Sequence, residues 1–106
     1  MVHRLVVNYG TPEDAAAFDT YYRETHTPIA LKQPGLVRLT FGHASSLDPA
    51  QSAPYLVAEL DFDSEEAMNA ALASPEGRAA GADLAKFATG GFTLAHFEVQ
   101  TASSGG

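Results

Sequence analysis

The chain has no cysteine, which removes disulfides, thiol nucleophiles and thiolate metal sites and suits a reducing compartment. Basic residues are scarce: six Lys plus Arg stand against 13 Asp plus Glu, a formal charge of −7. Nucleic-acid affinity rests on basic patches, so a nucleic-acid partner is not expected. No apolar run approaches the roughly 20 residues of a membrane span. The opening "MVHRLVVNYG" lacks the basic flank, long apolar stretch and small-residue cleavage site of a secretory leader, so the expected setting is the cytoplasm, away from membranes. A G-x-G-x-x-G fingerprint, a nucleophile–base constellation and the spacings His-x-His or His-Glu-x-x-His are also missing. No metal site and no cofactor are expected.

What is present is the makings of one domain. The 106 residues are 45% hydrophobic, enough for a single core and too few for two. "VHRLVVNY" (2–9) is rich in β-branched and aromatic residues and ends at Gly10, which predicts a strand. "TPED" follows, with Thr11 as N-cap and Pro12 at the first helical position, and opens a helix running to about 25. "LVRLTFGHA" (36–44) and "YLVAELDF" (55–62) alternate in polarity as strands do, separated by a Ser-, Asp- and Pro-containing loop. Asp63 caps a helix near 64–73, Ser74-Pro75 restarts a second one, and "FTLAHFEVQ" (92–100) after Gly90-Gly91 is the last strand. The domain is expected to span 1–100, with "TASSGG" (101–106) as a flexible tail.

Strand, helix, strand, strand, helix, strand is the α+β ferredoxin-like order, βαββαβ, an antiparallel sheet with both helices on one face. The other face needs a cover, most simply from a second copy, so a homodimer is expected. Alternation assigns Arg4, Arg38, Thr40, Glu59, His96 and Glu98 to that open face. Leu56, Ala58, Leu60 and Phe62, with Ala95, Phe97 and Val99, are assigned to the helix face.

In "FDTYYRETHTPIALKQPGL", Phe18, Tyr22, His26 and Ile29 fall on one helical stripe. Pro28 has no N–H for the Glu24 carbonyl, so the helix is expected to break near 26–27, with Thr27 capping a new turn. An imidazole at that junction can bond one freed carbonyl and turn its other nitrogen to a cavity, as acid–base chemistry needs. It can equally do no more than cap the helix end. Tyr22 shares the inward face and can donate a hydrogen bond to a ligand, with Tyr21 nearer the rim and Tyr9 at the end of the first strand; core packing is the alternative for these rings.

The motif Phe18-x-x-Tyr21-Tyr22-x-x-x-His26-x-Pro28, followed by "PGL" at 34–36 and "PYLVAELDFDSEEAM", resembles the EthD-like family of small dimeric α+β barrel proteins. The resemblance implies a ferredoxin-like protomer whose sheet joins its twin's into a barrel, with a small-molecule cavity between sheet and helices. It makes an oxidoreductase the first class to test; the reading of the helix motif adds His26 as general acid or base, Tyr22 orienting substrate, and Tyr21, Phe18, Tyr9 and Ile29 around an aromatic or carbonyl-containing ligand. Its wider superfamily includes cofactor-free oxygenases, isomerases, cyclases and haem proteins, and haem enters by that analogy alone. A cofactor-free isomerase, cyclase or decarboxylase, and a non-catalytic binder of hydrophobic ligands, stay open beside it.

Overall fold

A computed structural model describes residues 1–103; the last three positions of the expected tail lie outside them. The elements are β1 (His3–Tyr9), α1 (Ala15–Tyr21), a π-helical turn (Tyr22–His26), α2 (Thr27–Ala30), β2 (Arg38–His43), β3 (Leu56–Phe62), α3 (Glu65–Ala73), α4 (Pro75–Phe87) and β4 (Phe92–Glu98). The strands form one antiparallel sheet in the order β2-β3-β1-β4, as the ferredoxin-like reading expected.

The two central strands carry the core because their alternation is clean. His3, Leu5, Val7 and Tyr9 of β1 are buried, as are Leu56, Ala58, Leu60 and Phe62 of β3. They meet Phe18, Tyr22, Met68, Ala71, Leu84 and Phe87 from the helices. Each large apolar side chain so buried contributes about 1.5–3 kcal/mol relative to exposure. Tyr9, Phe18, Tyr22 and Phe87 form an aromatic knot with centroids 5.3 to 6.0 Å apart, mostly edge-to-face, the arrangement ring quadrupoles favour.

Local signals set the helix boundaries, with two shifts from expectation. The first helix is capped by Asp14, whose side chain accepts from the Ala17 N–H at 3.0 Å, and not by Thr11. Ser64, not Asp63, caps α3 by accepting from Ala67 N–H. In both cases the residue with extended backbone directly before the helical run takes the cap, because only there does the side-chain oxygen reach the orphan N–H groups. Ser74 caps α4 with Pro75 in its first turn, as expected.

The turn around His26 differs more. No break occurs: Thr27 keeps helical angles (φ −57, ψ −46), and its N–H reaches back five residues to the Tyr22 carbonyl. A single wider turn absorbs the hydrogen bond that Pro28 cannot make, so the chain stays helical through it. A π turn takes more residues per revolution, and the buried stripe runs Phe18, Tyr22, His26, Ala30. Ile29 is left half-buried beside it.

The faces of the sheet follow from register. Arg4 pairs with Asp61, and Thr40 with Glu59, on the face away from the helices; Arg4 there holds Asp61 through Nε at 2.7 Å and Nη2 at 3.1 Å. Arg38 and Glu59 share that face, as expected. In β4 the assignment is reversed. Leu94 and His96 sit opposite Val7 and Leu5 on the helix side, and Ala95 and Phe97 opposite Val6 and Arg4 on the open side. Both parities of β4 carry apolar residues, so its pattern could not choose a face; the ladder to β1 does. That register starts at a tight crossing. Gly10 N–H bonds the Gly91 carbonyl at 2.9 Å, Gly91 has φ +81, and a Cβ on Gly10 would collide with the Gly90 carbonyl oxygen.

Candidate active site

The helical layer arches over the sheet and leaves a hollow between them, about 540 Å³ of non-atom space with its open mouth included. Its walls are mostly aliphatic: Leu5, Val7, Ala58 and Leu60 from the sheet floor, Ala80 and Leu84 from α4. Four residues with polar side chains are among its lining, namely Tyr9, Tyr22, His26 and Gln33. Its character, apolar with few polar groups, is that of small-molecule sites.

His26 is 6% exposed. Its Nδ1 is 2.9 Å from Oδ2 of Asp83 on α4, which is itself 3% exposed. The other oxygen of Asp83 accepts from the Tyr21 hydroxyl at 2.7 Å. Burial alone would raise the Asp83 carboxyl pKa; the hydrogen bonds from Tyr21 and His26 outweigh it and hold the group below its ordinary value. Asp83 is therefore a carboxylate, able only to accept, and the His26 proton must reside on Nδ1. Burial pushes the His26 pKa below its ordinary value against the pull of Asp83. At neutral pH the ring is uncharged, and Nε2 is a bare acceptor on a residue that walls the cavity. The Phe87 ring, with its centroid 4.7 Å from that of His26, packs against the imidazole.

Tyr9 and Tyr22 are both 1% exposed and line the cavity. Burial drives both hydroxyl pKa values far above their ordinary range, so both remain protonated. Among the described residues neither hydroxyl has a protein hydrogen-bond partner.

Of the residues singled out from the sequence, His26, Tyr22 and Tyr9 come together on this cavity. Phe18 does not line it; it is core, packed on Tyr9, Tyr22, Tyr55 and Phe87. Tyr21 turns away to hold Asp83, and Ala30 takes the wall position expected of Ile29. The partner of His26 is a side-chain carboxylate 57 residues on, not a freed backbone carbonyl. Sequence reasoning missed Asp83, though a signal existed: it falls in step with Ala80, Leu84 and Phe87, an acid inside an apolar stripe. The other histidines serve elsewhere. His43 Nε2 lies 3.0 Å from Asp19 at the surface, and His3 Nε2 lies 2.8 Å from His96 Nδ1 at the far end of the sheet.

The EthD domain family matches residues 11–91. An 11.0 kDa protein from the thcB–thcC intergenic region of Rhodococcus erythropolis is 38% identical over 100 residues, 94% of this chain and 97% of that one. A crystal structure of an ethyl tert-butyl ether d (ethd) family protein from Bacillus halodurans is 36% identical, with a TM-score of 0.85 over 94% of this chain and 100% of that one. Two more distant structures share the fold. A dimeric ferredoxin-like protein of unknown function from Thermobifida fusca has TM-score 0.69, 18% identity and coverage of 93% and 92%. SnoaB, a cofactor-independent oxygenase from Streptomyces nogalater, crystallised as a mutant, has TM-score 0.68, 19% identity and coverage of 98% of each chain.

Proposed function

Because this chain belongs to the EthD domain family, we propose that it is a small-molecule enzyme, an oxidoreductase that needs no bound cofactor and acts on an aromatic or carbonyl-containing metabolite, with His26 as its general base. The observation that carries the reading is the buried Asp83–His26 pair with Nδ1 committed to the carboxylate and the ring on the wall of an apolar cavity. A neutral imidazole in that tautomer takes a proton at Nε2, and the carboxylate stabilises the imidazolium that forms. Tyr22 and Tyr9 are protonated donors on the same wall, suited to a developing oxyanion on the substrate.

Loss of a proton from an electron-rich enol or phenol leaves an anion that can reduce dioxygen directly. The substrate is then the reductant and oxygen the oxidant. The apolar walls keep the imidazole and the anion out of bulk water. SnoaB, which shares the fold, is a cofactor-independent oxygenase, which makes the fold permissive without assigning the reaction.

The working unit we propose is a cytoplasmic homodimer formed through the open sheet face. Relatives of this fold are described as dimeric, and Phe97 stands 46% exposed on that face, beside Val6 and Arg4.

The test is turnover of catechols, quinones and lactones, with and without oxygen or NAD(P)H, by wild type and His26→Asn. Oxygen or nicotinamide consumption that His26→Asn abolishes supports an oxidoreductase. Substrate rearrangement without either identifies an isomerase, and a raised melting temperature without turnover identifies a binder.

A further inference from the structure

The Asp83 carboxylate has two partners, and only one of them lines the cavity. His26 holds Oδ2, while the Tyr21 hydroxyl, at the end of α1, donates to Oδ1 at 2.7 Å. The Tyr21 ring is stacked on Phe87 with centroids 5.3 Å apart, and the same Phe87 packs on the imidazole at 4.7 Å. Packing belongs to the ring and the hydrogen bond to the hydroxyl, so phenylalanine at this position keeps the one and loses the other. The Tyr21 phenol is held above its ordinary pKa, chiefly by the bond to Asp83, and so stays a donor.

A carboxylate as deeply buried as Asp83 draws strongly on any proton within reach. A hydroxyl bonded to it takes up part of that charge. The bond is strongest while the carboxylate carries its full charge, with His26 neutral, and weaker once an imidazolium has balanced it. Tyr21 therefore favours the state in which the ring is a free base. Few other groups bear on the pair. Lys86, also on α4, supports the carboxylate, and the protonated hydroxyls of Tyr22 and Tyr9 are its neighbours on the cavity side. The helix α2, packed on the same turn, has no titratable side chain, and Arg23 and Glu24 of the turn itself are exposed.

Resting on the reading of His26 as general base, we propose that Tyr21 is a positioning residue of this site: through Asp83 it fixes the imidazole with Nε2 unprotonated and limits how strongly the carboxylate draws a second proton onto the ring. It sets the lowest pH at which the base is available, without touching the substrate.

Nitrogen-15 NMR titration of the His26 ring tests this with no substrate present. In Tyr21→Phe the His26 pKa should rise by about half a unit to one unit, the difference between a hydrogen bond to a full charge and one to a balanced charge. The acid limb of kcat/KM should move to higher pH by the same amount. Replacement of Tyr21 by 3-fluorotyrosine, a stronger donor of nearly the same shape, should move the ring pKa the opposite way. A His26 pKa that stays fixed or falls in Tyr21→Phe would overturn the proposal; should that variant not fold, an unmoved or raised pKa in the fluorotyrosine protein does so alone. The His26 reading fails separately: the ring would then titrate as expected in each variant while the acid limb stayed where it is in wild type.

Discussion

The Nδ1 atom of His26 lies 2.9 Å from Oδ2 of Asp83, across the gap between the π turn and α4, with both side chains buried. A carboxylate there without the imidazole would be a buried charge with one donor, and an imidazole without the carboxylate would have no fixed tautomer. The two residues make one unit, and that unit separates the effects of their substitutions.

His26→Asn places an amide N–H near the position of Nδ1 and offers no base. It should keep the fold and lower kcat/KM by about 10²–10⁴-fold in steady-state kinetics. His26→Ala removes the donor as well, leaves Asp83 under-compensated, and should cost about 3–5 kcal/mol in urea denaturation. Wild-type turnover in His26→Asn would place the base elsewhere.

Acid sensitivity follows from the same pair. The folded His26 pKa lies below its ordinary 6.5, so above pH 6.5 the ring is neutral in both states and contributes no pH dependence. As pH falls below 6.5 the unfolded chain takes a proton that the folded ring refuses, and stability declines until the folded pKa is reached. Asp83 acts lower: its depressed pKa gives stability that is present above 3.8 and lost as pH falls through the folded value. Chemical denaturation from pH 8 to 4 should show the decline beginning near 6.5 in wild type and a shallower slope there in His26→Asn. Parallel curves would contradict the burial of this imidazole.

At Gly81 stability and turnover should move in opposite directions. Gly81→Ala should stabilise by about 0.5–1 kcal/mol, since glycine within a helix carries an entropic penalty and the new Cβ meets no atom. Gly81→Leu, at a residue that lines the cavity, should project into it and lower turnover. Unchanged turnover in Gly81→Leu would mean that the substrate sits elsewhere.

For the dimer, Phe97→Glu puts a charge on the open sheet face, 46% exposed in the single chain. Light scattering coupled to size exclusion should report a dimer for wild type and a monomer for this variant, with the far-ultraviolet circular dichroism unchanged. A dimer that persists in Phe97→Glu would move the contact off this face.

Much of the architecture can be read from local pattern. The burial of β1 and β3 follows from strict alternation, and the restart at α4 from Ser74-Pro75, because those signals act within a few residues and need no partner. The inward histidine could likewise be read from the four-residue steps of Phe18, Tyr22 and His26. Ile29 could not, since a π turn at Pro28 moves the stripe to Ala30, and the choice between a break and a wider turn depends on what packs beneath the helix.

The remainder belongs to the tertiary structure. Whether His96 or Phe97 faces the helices is undetermined by a strand with apolar residues on both sides, and only the ladder to β1 decides it. The site has the same origin: His26 and Asp83 lie far apart along the chain, and nothing in local propensity couples them. Short-range backbone preferences and periodicity settled which segments become strands and helices and, for β1 and β3, which face turns inward. Packing of α4 against the π turn decided that an imidazole meets a carboxylate over a hollow, because a contact across 57 residues exists only once the layers have closed on each other.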